Sequence, residues 1–128
     1  MFCVTIGNIV NTILKNERVV LCGETAAAYL GLSNGWGIPV NFYTTNSNII
    51  NSNYLQGHVI DDIEDLEIVE INDISCTTEE QTICDLILND CDEQTILESM
   101  SNYYYKHNNS FDSLLQKAIE FDIIQQLL

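Results

Sequence analysis

Apolar residues recur at helical spacing toward both ends of the chain and nearly alternate in its middle. Phe2, Ile6, Ile9, Val10, Ile13 and Leu14 share one helical face, which predicts a first helix over Thr5–Asn16 with Thr5 as N-cap. Arg18–Cys22, RVVLC, is short, β-branched and apolar, and reads as a buried strand or an extended link that Gly23 breaks. Thr25–Leu30 is helix-favouring, with Gly31 in the C′ position, and Ala26–Ala28 are small enough to admit a close neighbour. Ser33–Gly37 is turn chemistry around Trp36, which is either a surface anchor or a lid on the core. Pro39 introduces Val40–Thr44, a strand with Val40 and Phe42 on one face. Thr45–Asn53 is a polar, Asn-rich loop. Tyr54–Ile60 and Leu66–Ile71 are strands around the acidic turn Asp61–Asp65, and the adjacent Ile68 and Val69 predict a bulge or burial on both faces.

From Ser75 the pattern turns helical. In Ser75–Asn89, Thr78 and Gln81 have capping-box spacing, and Glu79 and Glu80 suit the positive end of a helix. Ile83, Leu86 and Ile87 make the apolar stripe, with Cys84 at its edge. Asp92 caps a second helix with Ile96, Met100, Tyr103 and His107 on one stripe and Leu97 and Tyr104 beside it; Asn108–Asn109 ends it. Ser110 or Asp112 caps a third, carrying Leu114, Leu115, Ala118 and Ile119, and Asp122 with Gln125 opens a short fourth. No repeat or long linker divides the chain. The expectation is one α+β domain over residues 1–128, with N-terminal helices, a small mainly antiparallel sheet and a helical C-terminal half.

Charge changes the picture more than composition does. Nineteen acidic residues face four basic ones, Lys15, Arg18, Lys106 and Lys117, for a formal net charge of −15. Direct binding to nucleic acid or an anionic membrane is not expected, because phosphate recognition needs Lys and Arg. Asp61–Glu98 holds 14 carboxylates and no Lys or Arg. These are either solvated faces or, for Asp61, Asp62, Glu64, Asp65, Glu67, Glu70 and Asp73, a patch that docks a basic or nucleic-acid-binding protein. No apolar run reaches the roughly 20 residues of a membrane helix. Met1–Val10 has no basic start, and five cysteines form no C-x-x-C pair, which places the chain in a reducing, cytoplasmic compartment with free thiols.

Catalytic and metal chemistry find little support. His58 and His107 are the only near-neutral bases, and a Cys84–His107 pair sits in no nucleophile motif. Cys84, Cys91 and His107 lack zinc spacing, and Asp90-x-Asp92 begins like a calcium loop but has Thr95 where glycine is needed. No glycine-rich phosphate loop exists, and no catalytic residue, metal or cofactor is expected. Tyr103–Tyr105 reads as core or interface for the first two and surface for the third. Leu127–Leu128 either tucks into the domain or supports a homodimer.

Several of these pieces resemble the core of AbiEi-family antitoxins of type IV toxin–antitoxin and abortive-infection systems. Thr25-Ala-Ala-Ala-Tyr-Leu30-Gly31-Leu32 looks like that family's S-A-L…L-x-G-L helix. Pro39 and its strand match the next element. Glu80-Gln-Thr82-Ile-Cys-Asp85 is similar to the E-R-T-x-x-D helix start, with Gln81 where the family usually has Arg. The likeness covers about Val19–Leu128. It implies a regulatory protein without enzymatic activity that counteracts a nucleotidyltransferase-type toxin. Met1–Asn16 is too short for the winged-helix DNA-binding domain that family members usually carry, so operator binding is not carried over. The alternative expectation, from the acidic block, is a nucleic-acid mimic of anti-CRISPR type from a phage, acting on a host defence nuclease.

Overall fold

The structure, a computed structural model, describes residues 5–12, 14, 17–49 and 51–121. Expectations resting on Phe2, Cys3, Ile13, Lys15 and Asp122–Leu128, the fourth helix and the Leu127–Leu128 pair among them, lie outside the described residues. The helices are α1 (Ile6–Thr12), α2 (Gly23–Tyr29), α3 (Glu79–Leu88), α4 (Glu93–Lys106) and α5 (Asp112–Glu120). The strands are β1 (Val20–Leu21), β2 (Val40–Thr44), β3 (Leu55–Val59), β4 (Ile68–Ile71) and β5 (Ile74–Thr77), with a 3-10 turn at Ile63–Asp65. The chain is α+β. No helix among the described residues is long and apolar enough to cross a membrane.

The five strands form one sheet in the order β3-β2-β1-β5-β4. It is mixed rather than mainly antiparallel: β1–β2 and β4–β5 are antiparallel, whereas β1–β5 and β2–β3 are parallel. The ten residues between β2 and β3 make a crossover instead of a hairpin. β5 also corrects the helical reading of Ser75–Thr77. Its Ile74 and Cys76 alternate into the core, and helix begins only after Thr78. Asn72 and Asp73 both have positive φ, 53° and 64°, the two-residue turn that sets Ile71 opposite Ile74. The β4–β5 ladder runs unbroken from Ile68–Thr77 to Ile71–Ile74, so Ile68 and Val69 form no bulge. Both are exposed, because β4 is an edge strand and not a doubly covered one.

Two apolar cores flank α2. The first gathers Ile9, Val10 and Leu14 against Leu21, Val40, Phe42, Leu55, Ile74 and Cys76 of the sheet, with Ala26 from α2. The second is helical: Ile83, Cys84 and Leu86 of α3, Tyr103 of α4, and Leu114 and Ala118 of α5, with Ala27 and Leu32. Ala26 and Ala27 are adjacent yet serve different cores, which works because neither is large enough to hold the two apart. Cys84 is fully buried and not at the stripe's edge, while Leu97, Leu115 and Ile119 are exposed despite their apolar character.

The helix ends were written largely in local chemistry. Thr5 Oγ1 accepts from Asn8 N at 3.1 Å, Thr78 Oγ1 from Gln81 N at 3.3 Å, and Asp92 Oδ2 from Thr95 N at 3.1 Å. The capping box is one-sided, because the Gln81 amide points instead to Asp85 and to Glu67 N. At α5, Phe111 is the cap and Ser110 Oγ accepts from Asp112 N; the Asp112 side chain does not cap. α2, α3 and α4 each close on a residue with positive φ, at Gly31, Asp90 and Asn108. The following residues Leu32, Cys91 and Asn109 donate back to Ala27 O, Leu86 O and Tyr104 O, which satisfies a terminal carbonyl at each helix.

Candidate functional site

The seven carboxylates expected to form a docking patch lie on the segment crossing from β3 to β4 and on the β4–β5 hairpin. Ile63, buried, anchors that crossing segment, and Asp62 Oδ1 accepts from Glu64 N at 2.9 Å to shape its turn. Two of the seven are engaged. Glu64 pairs with Arg18 at 3.3 Å, and Glu67 pairs with Lys117 while accepting from Thr78 Oγ1. Asp61, Asp62, Asp65, Glu70 and Asp73 are exposed and have no basic partner among the described residues. Lys106 is taken as well, by Glu79 at 3.2 Å, so each described Lys or Arg is already opposite a carboxylate.

The resemblance motif residues are structural. Thr25, fully buried, donates to Gly37 O at 2.8 Å, with Pro39 O at 3.2 Å, and accepts from Asn41 N at 2.8 Å. Leu30, Gly31 and Leu32 form the α2 terminus, with Leu32 buried in the helical core. Thr82 and Thr77 share a buried hydroxyl contact of 2.7 Å that ties α3 to β5. Glu80 opens α3. Asp85 stands apart, because it is buried and also reaches a cavity.

That cavity, of about 300 Å³, is lined by Cys22 and Glu24, Asn41 and Tyr43 of β2, His58 of β3, Asp85 and Asn89 near the end of α3, and Cys91. The register sets Tyr43 beside His58. Tyr43 Oη donates to Asp85 Oδ2 at 3.1 Å, and Gln81 Nε2 donates to Asp85 Oδ1 at 3.0 Å. His58 Nε2 meets Asn41 Oδ1 at 3.1 Å. Asp85 is 7% exposed and no ion pair reaches it among the described residues. Burial pushes its carboxyl above the usual carboxylate range, partly offset by the bonds from Gln81 and Tyr43.

Burial favours the protonated thiol at both cysteines that line the cavity, Cys22 and Cys91. Burial pushes the Cys22 thiol and the Tyr43 phenol well up, with the nearby Asp85 charge adding to each. Cys76 and Cys84 are pushed up to about 12 by burial, so these thiols stay protonated at neutral pH. His58 is in the cavity, but its ring bonds an amide rather than a thiol or carboxylate. Cys84 and His107 are not paired. His107 stacks on Tyr103 at 3.9 Å and faces Glu79 at 3.5 Å, pinning the start of α3 to the end of α4. Trp36 is 80% exposed, so it is no lid on the core. Among the described residues, no cluster of His, Cys, Asp and Glu has the arrangement to hold a metal ion.

Sequence reasoning missed this cavity. The period-two pattern of β2 does put Asn41 and Tyr43 opposite Val40, Phe42 and Thr44, which was a usable signal. The positions of His58 and Asp85 depend on a parallel crossover and on helix packing, which no local pattern displays. Neither a family model, nor a curated protein, nor a solved structure matches this chain.

The raised carboxyl of Asp85 has a signed consequence. The folded state holds the proton more tightly than the unfolded state, so the group's contribution is complete below the ordinary carboxylate pKa of about 3.9 and is lost as pH rises through the higher folded value. Asp85→Asn keeps the shape and, with the amide turned, can bond both Gln81 and Tyr43. Urea unfolding of the two proteins at a series of pH values should show the variant gaining on the wild type as pH rises from acid to neutral. A gap that does not change with pH would mean that Asp85 ionises alike in both states.

Proposed function

We propose that this chain is a non-enzymatic binding protein that engages a basic partner protein through the crossing segment and the β4–β5 hairpin. It does so in the manner of an antitoxin-type domain of a bacterial or mobile-element defence system, as its resemblance to AbiEi-family antitoxins implies. One observation carries the reading. Each described cation is already matched to a carboxylate, while Asp61, Asp62, Asp65, Glu70 and Asp73 remain exposed and unmatched. Such a field raises association rates for a basic protein and makes the complex salt-sensitive.

Affinity capture from the native cell at low and high salt tests it. Replacing Asp61, Asp62, Glu64 and Asp65 by Lys should weaken the complex by on the order of 100-fold, through the association rate, with the fold intact. The Arg18–Glu64 pair lost in that variant is exposed, worth at most about 1 kcal/mol. Equal capture by wild type and variant at both salt concentrations would reject the reading. The acid-only run from Asp61 to Glu98 favours a second one, an anti-CRISPR-like mimic of nucleic acid. Under that reading, duplex DNA competes for the captured partner; under the first it does not.

A further inference from the structure

The cavity beside Asp85 holds a carboxylate for which the described residues supply no counter-charge. Its side chain is 7% exposed, its two oxygens receive only neutral donors from Gln81 and Tyr43, and it opens onto a space of about 300 Å³. No Lys or Arg lines that space. Arg18, Lys106 and Lys117 are committed elsewhere. The rest of the lining favours a positive guest as well: Glu24 at the rim, the side-chain amides of Asn41 and Asn89, and the ring of Tyr43. A buried carboxylate without a charged partner either stays protonated or is completed by a cation from outside.

We infer that this cavity is a binding site for a guanidinium group, free in a small molecule or carried by the arginine of another protein. A guanidinium is planar, carries five N–H donors in a fixed fork and is weakly hydrated, so it can bond a carboxylate and an amide oxygen while lying against an aromatic ring. A compact metal ion finds no suitable ligand cluster among the described residues. A bulky quaternary ammonium has the charge but no N–H to offer Asp85. A space of about 300 Å³ is at the small end for ligand sites and admits one such group rather than an extended molecule. The site shares no residue with the carboxylates of the crossing segment and hairpin, so it stands or falls separately from the docking surface proposed above.

The test is a titration followed by amide chemical shifts, using methylguanidinium chloride against tetramethylammonium chloride at equal ionic strength. Methylguanidinium should shift the amides of Cys22, Asn41, Tyr43 and Asn89 saturably, and tetramethylammonium should not. Asp85→Asn, folded by circular dichroism, should weaken methylguanidinium binding about tenfold or more, since a hydrogen bond between charged partners is exchanged for a neutral one. Glu24→Gln, at the exposed rim, should weaken it only about twofold to threefold. A capped Gly-Arg-Gly peptide separates the two sources. Tighter binding than methylguanidinium assigns the site to a protein arginine, and equal or weaker binding assigns it to a small molecule. Identical shifts from both salts, or undiminished binding by Asp85→Asn, would overturn the inference.

Discussion

Thr25→Val should lower the unfolding free energy by about 1–3 kcal/mol, the cost of leaving two part-buried backbone groups without their side-chain partner. The substitution preserves shape and branching. It removes the hydroxyl that accepts from Asn41 N at 2.8 Å and donates to Gly37 O at 2.8 Å. Thr25 is fully buried, so water cannot replace it without rearrangement. This one hydroxyl holds the end of the Gly37–Asn41 segment and the start of β2 against α2. Thr25→Ser keeps the oxygen and loses one methyl group, and should cost only about 1 kcal/mol. Urea titrations of the two variants decide the matter: similar midpoints would mean that the methyl, not the hydroxyl, matters.

Gly37→Ala should be comparably damaging, about 2–5 kcal/mol, for two separate reasons. Its φ of 71° lies in the left-handed region, which costs an L-residue about 1–2 kcal/mol. The added Cβ would also stand 2.6 Å from Ile6 Cδ1 and 3.2 Å from Ala28 Cβ, overpacking the contact between α1, α2 and this segment by about 1–3 kcal/mol. Gly31 provides the control. Its φ is 75°, yet a Cβ there meets nothing within 4 Å, so Gly31→Ala reports the backbone cost by itself. Pairing Gly37→Ala with Ile6→Ala should recover part of the steric loss in a thermal-unfolding cycle. Additive losses would show that Ile6 is not what the new methyl strikes.

Legibility from sequence followed the range of the interaction. β2 was readable to the residue, because Val40 and Phe42 alternate into the core beside a proline. The α2 stop at Gly31 and the caps at Thr5, Thr78 and Asp92 were readable because the groups that satisfy each other lie within a few residues. β5 was not. Ser75–Thr77 adjoins a strongly signalled helix cap, and what makes it a strand is pairing with β1 and with β4 across an Asn-Asp turn. Strand direction was lost for the same reason, since β2 and β3 are parallel only through a loop with no periodicity. The carboxylates were visible as a run, but their engagement by Arg18 and Lys117 required the fold. For the cavity, one wall could be read from β2, and the rest joins residues up to 69 positions apart, from Cys22 to Cys91.

β1 is only two residues long, yet it is the sole strand between the β2–β3 pair and the β4–β5 hairpin, and it meets β5 through the single register pair Leu21–Cys76. The sheet is therefore two wings on a narrow seam, and the negatively charged wing is attached chiefly by side-chain packing rather than by its backbone ladder.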